Sequence, residues 1–571
     1  MPGFTLIYQQ NGLTESIKNR ANRLVEASFK VDYISKSDQL IILFKDGNHY
    51  PYEIVKTRQY IIIVEGKIYD IDHVNNKEFL EHIDKLYLSA NPENDLSYFH
   101  QLDGEFNIFI LDKKGQNHFF INDFLGRLPA YVYQGQQFIL SRDIFVLDKI
   151  TTGLMFDEQS VYQFLRMGYP LGDRTLFNDI KRFPAAGILT INESNINIKS
   201  SPPDLSAMEA SDSSKNPEGE LYELFKEALK NRLEKEKKVV LSLSGGLDSR
   251  LIMGEIINTK YPVDYASFEY ENAIIKNDIA VVKQLAKLYD RSPQYYTLKE
   301  WAPELIDEMA TLKGGMNYVG MSFILDFLKQ LGAMYGMMLT GDGGDKTLPG
   351  LFPNTRMSNK NIANAIIKLN SLNTSRFLDE FVISECDTYE AELRSYLNNI
   401  PGKNAKLKYK HFLVYERALN WLFEGEDRNR NYIWSTSPFY SPAFFNLVHR
   451  IPEDKKRNFE LFRKFIDLVD PKLNTINNAN WGIPLGDQRK VDQMLWRQKI
   501  KNRIPFKLRA KVQKSDMQEQ LVWYVSEMLH KGYGGQVLIN ADQSDLKYAS
   551  SDTLFHLLTI LKVSEMTWKS H

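Results

Sequence analysis

Val239-Val240-Leu241-Ser242-Leu243-Ser244-Gly245-Gly246-Leu247-Asp248-Ser249-Arg250 places a glycine loop between two regular elements. The charged run Lys235 to Lys238 stops, and an apolar, β-branched start reads as a buried parallel strand. From Arg250 to Ile257 the spacing is helical again. In the loop, Gly245 and Gly246 let the backbone pass close to a phosphate, and Ser244 and Ser249 offer hydroxyls. The N–H groups and dipole at the helix start favour an anion. Asp248 beside a phosphate implies a divalent cation between them, and Mg²⁺ with oxygen ligands suits the place. The competing reading is an ordinary glycine turn of a βα unit, but the full pattern behind a buried strand is more specific than a lone Gly-Gly. No Gly-x-x-x-x-Gly-Lys-Ser/Thr occurs, so this is not the kinase-type phosphate loop.

A second stretch repeats the design. Met337-Met338-Leu339-Thr340-Gly341-Asp342-Gly343-Gly344-Asp345-Lys346 is a buried strand ending in a glycine loop that holds two aspartates three residues apart. Val263 to Phe268 and Gln294 to Leu298 read as further strands, with a helix opening at Asn277-Asp278 between them. Such alternation predicts a doubly wound parallel sheet with both glycine loops on one edge.

At 571 residues the chain is too long for one core. Its 72 acidic and 71 basic side chains nearly cancel, giving no global support for nucleic-acid binding. A single cysteine, Cys386, excludes disulfides within the chain and cysteine-based metal sites. No signal segment and no apolar run of membrane-spanning length is present, so a cytoplasmic location is expected.

Residues 1 to about 200 read as short strands, at Phe4–Tyr8, Leu40–Phe44, Tyr60–Val64, Phe106–Ile110 and Phe138–Ser141, with helices near Asn76–Leu88 and Asp157–Met167. This mix suggests stacked sheets with flanking helices. A linker rich in Ser, Pro and Asp follows, and an amphipathic helix starts near Pro217. From about 360 onward the pattern is helical. Arg497, Lys499, Lys501, Arg503, Lys507, Arg509, Lys511 and Lys514 read as a solvated helical face, with an anionic polymer or membrane surface as the sharper alternative.

The first loop resembles the pyrophosphate loop of ATP pyrophosphatases, which cleave ATP between the α and β phosphates. Within that group the chain resembles the asparagine synthetase family. Leu102-Asp103-Gly104-Glu105-Phe106, Asn122 to Tyr131 and Phe138 to Ser141 are similar to the structural motifs of its class II glutamine amidotransferase domain. The resemblance implies an N-terminal αββα sandwich of the Ntn type over 1–200, a linker over 201–217, an ATP pyrophosphatase domain over 218–490 and a helical extension over 491–571.

It also implies ATP and Mg²⁺ as cofactors. Leu243, Ser244, Gly245, Gly246, Leu247, Asp248, Ser249, Thr340 and Gly341 would hold the nucleotide, and Phe268 would flank the adenine. Asp248 and Asp345 would be the metal ligands. Asp342 takes the place of the family's glutamate, or of the tyrosine of β-lactam synthetases, and would orient or deprotonate an attacking amine. The implied partners are a small-molecule or peptide carboxylate and an amine or ammonia, and a homodimer is compatible with the resemblance.

The chain departs from the family elsewhere too. Pro2 stands where the glutaminase nucleophile is a cysteine, and Glu65 replaces the oxyanion-hole asparagine, where a carboxylate would repel a developing oxyanion. Asn477 to Pro484 resembles the family's "R-x-K-x-G-F-x-x-P" with its cations gone, and Lys346, Lys455, Lys456 and Arg463 are the nearby candidates to replace them. The expectation is an ATP-dependent, AMP-forming carbon–nitrogen ligase of the branch without a glutaminase, as in β-lactam synthetases and lasso-peptide cyclases. A non-catalytic nucleotide-binding paralogue and a glutamine-dependent asparagine synthetase are the alternatives.

Overall fold

Apolar runs in the first 200 residues pair as two six-stranded antiparallel sheets. The computed structural model of the chain describes all residues except 27–30, 48–49, 72–75, 116, 152, 193–194, 206–215, 272–276, 300, 353–356, 374–377, 379–385, 401–403, 502–515, 536, 539–545, 548 and 569–571. For 31, 33–36, 277, 386–387, 498–501, 516 and 568 it describes the backbone alone. One sheet runs Ile180–Arg182, Tyr131–Gln134, Phe138–Ser141, Gly3–Tyr8, Leu40–Lys45, Val31–Lys36. The other runs Ile196–Ser200, Gly187–Asn192, Asn117–Asn122, Gly104–Asp112, Tyr60–Ile68, Tyr52–Lys56.

Side chains alternate between two cores because successive strand residues point to opposite faces. Ile63, Phe109 and Phe120 meet Phe4, Leu6 and Ile42 between the sheets. Their neighbours Ile62, Val64, Ile108 and Ile110 pack under Phe79, Ile83 and Leu86 of the helix Lys77–Leu88. Each of those three helical side chains is fully buried, worth about 2 kcal/mol apiece. On the far side of the first sheet, Ile7, Ile41 and Ile139 are covered by the helices Glu15–Glu26 and Ile144–Thr151. The order of layers is helix, sheet, sheet, helix, as the αββα expectation required.

Local chemistry explains the helix limits. The Asp157 side chain accepts from Ser160 N and caps Glu158–Met167, and Asn76 caps Lys77–Leu88 in the same way. The first of these helices ends at Gly168, whose φ of 89° and contact with the Trp421 ring admit no side chain.

The second half is a five-stranded parallel sheet in the order Gln294–Leu298, Val263–Tyr270, Val239–Ser242, Met337–Leu339, Trp434–Thr436. Leu241 and Leu339 face the helices Pro217–Leu233, Asp248–Thr259 and Glu460–Val469. Val240 and Met338 face Pro303–Lys313 and Leu325–Gly332. The sheet is therefore doubly wound. The chain leaves Val239–Ser242 toward one edge and returns on its other side at Met337, which makes the gap between these strands the switch point.

Trp434–Thr436 corrects the expectation of an all-helical pattern after 360. Three residues are too few to show a period, and tertiary pairing with Met337–Leu339 makes them a strand. The helices Asp516–His530 and Ser551–Trp568 pack on each other, and the second also lies on Glu158–Met167 and Pro303–Lys313. Arg497 is exposed on Gln488–Lys501, while residues 502–514 of the basic run lie outside the described residues. Among the described residues no helix is long and apolar enough to cross a membrane.

Candidate active site at the switch point

The two glycine loops emerge from adjacent parallel strands and touch. A Cβ on Gly341 would lie 2.7 Å from Ser249 N and 2.9 Å from Asp248 Cβ, and one on Gly344 would overlap Asp248 Oδ1. Only glycine at these two positions lets the loops close. Asp248, Thr340, Gly341, Asp342 and Asp345 are thereby gathered at the carboxyl ends of two central strands, where open α/β sheets bind ligands.

The first loop is internally hydrogen-bonded. Ser249 Oγ accepts from Ser244 N at 3.1 Å and lies 3.1 Å from Ser244 Oγ, while Gly246 N donates to Ser244 Oγ at 3.3 Å. Gly245 N donates to Asp278 Oδ1 at 2.9 Å. In this structure the hydroxyls of Ser244 and Ser249 serve the loop's own amides, where the sequence suggested donors held out to a phosphate. Leu243 and Leu247 are buried and anchor the loop to the core. Phe268 is half-buried, its ring 5.2 Å from Phe327 and 6.2 Å from Phe323.

Arg250 holds the loop from behind. Its guanidinium is fully buried and donates to the carbonyls of Gly245 at 3.2 Å, Gly246 at 2.9 Å, Leu473 at 3.1 Å, Ile476 at 2.9 Å and Asn477 at 2.8 Å. Ala479 N also donates to Gly245 O at 3.2 Å. The stretch Asn477 to Pro484 is thus packed on the first glycine loop. The sequence reading passed over Arg250 and Asp278. A lone arginine opening an otherwise apolar helix was the available signal for the first, and nothing in the spacing marked the second.

Asp248 Oδ1 is buried and has no hydrogen-bond partner among the described residues. Burial, with Asp345 and then Asp342 nearby, raises its carboxyl well above the usual range, against the pull of Lys346 and Arg250. Asp345 is half-exposed and paired with Lys346. A buried, unpartnered carboxylate oxygen next to a second carboxylate fits a hard divalent cation. Among the described residues no three His, Cys, Asp or Glu side chains converge as a ready metal cage. Mg²⁺ needs no such cage, since it is held by one or two carboxylates with substrate phosphates and water completing the shell.

Asp342 keeps contact with solvent and accepts from Thr340 Oγ1 at 2.9 Å. The protein around it and the carboxylates of Glu426 and Asp345 push it up to about 6, against the Thr340 hydroxyl and Arg127. Ser437 Oγ donates to its carbonyl at 2.5 Å, and the Tyr440 ring packs against Gly343. Arg127, from the first half of the chain, stacks over that ring at 4.4 Å.

Arg127 belongs to a buried ionic network that joins the halves. It contacts Glu105 at 2.5 Å and Glu426 at 2.9 Å, and Glu426 also takes Arg430 at 3.2 Å. Arg142 bridges Glu65 at 3.0 Å and Asp427, while Lys313 spans Asp427 at 2.7 Å and Glu424 at 2.6 Å. Arg182 pairs with Glu424, and Arg232 with Asp103 at 2.7 Å. All twelve of these side chains are buried, six cations against six carboxylates. Glu65 also accepts from Tyr50 Oη at 2.5 Å and Asn107 Nδ2 at 3.2 Å. Pro2 is buried beside Gly47.

A family model described as asparagine synthase matches residues 220–521, more than half of the chain. The chain belongs to the asparagine synthase family. Its first part, residues 40–201, matches a glutamine amidotransferase domain. This asparagine synthase-family chain is thus a member of a group of ATP-dependent amide-forming ligases. No curated protein matches it. Among solved structures it is similar to a glutamine phosphoribosylpyrophosphate amidotransferase from B. subtilis complexed with ADP and GMP, at 10% identity and a TM-score of 0.22, over 52% of this chain and 81% of that one. It is also similar to an NMN synthetase from Francisella tularensis, at 14% identity and a TM-score of 0.19, over 36% of this chain and 95% of the other.

Proposed function

We propose that this protein adenylates a carboxylate with ATP and joins it to an amine or ammonia, releasing pyrophosphate and AMP. The observation that supports this reading best is the meeting of two glycine loops at the switch point around Asp248 and Asp345. Leu243 to Ser249, with Thr340 and Gly341, would embrace the phosphates, and Phe268 would lie against the adenine. Asp248 and Asp345 would hold Mg²⁺, which when bound neutralises phosphate charge and assists departure of pyrophosphate. Asp342 would receive a proton from the attacking amine, since a carboxyl raised toward neutrality is better matched to that task. The buried, unpartnered Asp248 Oδ1 beside Asp345 supports a metal-bearing nucleotide at this place.

The test is ATP–pyrophosphate exchange with candidate acids, among them aspartate, amino-sugar acids and short peptides. Asp248→Asn and Asp345→Asn should each abolish exchange, a loss of several kcal/mol of transition-state stabilisation, while the far-ultraviolet circular dichroism is unchanged. Exchange surviving in both variants rejects the metal-ligand assignment. The second reading, a nucleotide-binding protein without turnover, draws on the absence of lysine and arginine from Asn477 to Pro484. ATP binding with no exchange for any acid would favour it.

A further inference from the structure

We propose that Lys346 is the cation that meets the pyrophosphate part of the nucleotide, an assignment that rests on the ATP reading above. A pyrophosphate brings several negative charges to a place that already holds Asp248, Asp342 and Asp345. One divalent ion leaves net negative charge, and catalysis of phosphate departure relies on further fixed positive charge.

Four other cations, Arg250, Arg127, Arg428 and Lys456, are held by protein groups. Arg250 spends its guanidinium on five backbone carbonyls behind the loop. Arg127 is locked between Glu105 and Glu426, and Arg428 is buried on Asn317 at 3.1 Å and Asn429 at 2.9 Å. Lys456 is fully buried near Glu453, which Lys410 also engages at 3.1 Å. The stretch Asn477 to Pro484 lies directly on the phosphate loop and carries no lysine or arginine.

Lys346 differs in its exposure and in its place on the second loop. It sits in the short helix Gly344–Thr347, whose first residue is in contact with Asp248, and its amide donates to Gly343 O at 3.0 Å. Its Nζ pairs with Asp345, and 24% of its side chain remains exposed. The ammonium therefore covers the charge of one proposed metal ligand. A lysine has the flexible stem needed to turn from that carboxylate to a phosphate oxygen. Lys346 thereby places positive charge beside Asp345 on the second loop, in compensation for the uncharged stretch over the first.

The experiment is isothermal titration of the full chain with inorganic pyrophosphate and with ATP, each with and without Mg²⁺. Lys346→Met, Lys346→Arg and Lys455→Met are compared with wild type, with circular dichroism as the folding check. Lys346→Met should weaken pyrophosphate binding about tenfold or more, the scale of one charge-assisted contact to phosphate. Lys346→Arg should bind far more tightly than Lys346→Met, because it keeps the charge. Lys455→Met, an exposed change beyond the loop, should bind as wild type does. Equal affinities for Lys346→Met and wild type, or an equal loss in Lys455→Met, overturn the assignment while leaving the ATP reading intact. A wild-type chain that binds neither pyrophosphate nor ATP overturns the ATP reading, and the Lys346 role with it.

Discussion

Replacing Arg250 by methionine removes a donor from five carbonyls at once, on two segments more than 220 residues apart in sequence. We predict that Arg250→Met costs on the order of 3 kcal/mol in stability. Because the lost bonds also fix the loop's position, ATP binding should weaken beyond what the fraction unfolded explains. Denaturant unfolding and nucleotide titration on the same samples check this. Unchanged ATP affinity in the folded variant would reduce Arg250 to a purely structural role. The guanidinium's own condition supports a fixed role: burial lowers its pKa to about 10, and it stays charged at neutral pH.

At the level of one element, the helix Phe423–Asn429 carries Glu424, Glu426, Asp427 and Arg428, all buried. Such a helix is stable only because cations from elsewhere in the chain, Arg127, Arg142, Arg182 and Lys313 among them, meet its acids. Removing one member of a buried pair leaves the others uncompensated, and Asp427→Asn should cost about 3–5 kcal/mol at neutral pH. Burial alone would raise Asp427, but Arg142, Lys313 and Arg430 outweigh it and hold it at about 2. A carboxylate depressed in the folded chain contributes fully above its unfolded value near 3.8 and loses that contribution as pH falls through 2. The stability gap between wild type and Asp427→Asn should therefore narrow between pH 3.8 and about 2. Chemical-denaturation midpoints across that window are the check, and a gap that widens on acidification refutes the assignment.

Over the whole molecule, the two halves are joined through this network, through Trp434 Nε1 donating to Tyr69 Oη at 2.9 Å, and through Thr436 Oγ1 donating to Glu105 Oε1 at 2.8 Å. Glu65, with Tyr50, Asn107 and Arg142 around it, is part of that junction. We predict that the protein releases no glutamate from glutamine, with or without ATP and candidate acids. Stoichiometric glutamate coupled to AMP formation would return it to ordinary glutamine-dependent asparagine synthesis. How much of this was legible in the sequence follows from the range of each interaction. The first glycine loop, the Asp342–Asp345 loop and the strands Phe138–Ser141 and Gln294–Leu298 rest on neighbours within a few residues, and their spacing declares them. The strands Tyr52–Lys56 and Asn117–Asn122 are not separable from loops in the sequence, because mixed polar and aromatic residues give no clean period until a partner strand is beside them. Charge alone could not tell which of four cations stands at the loops, since Lys456 and Lys346 look alike in sequence and differ only in burial and partner. The sequence by itself determined the local strand–loop–helix units and the kinds of side chain they carry. The tertiary structure decided that two loops about 100 residues apart close on Asp248, because that contact requires adjacent parallel strands and two glycines with no room for a side chain.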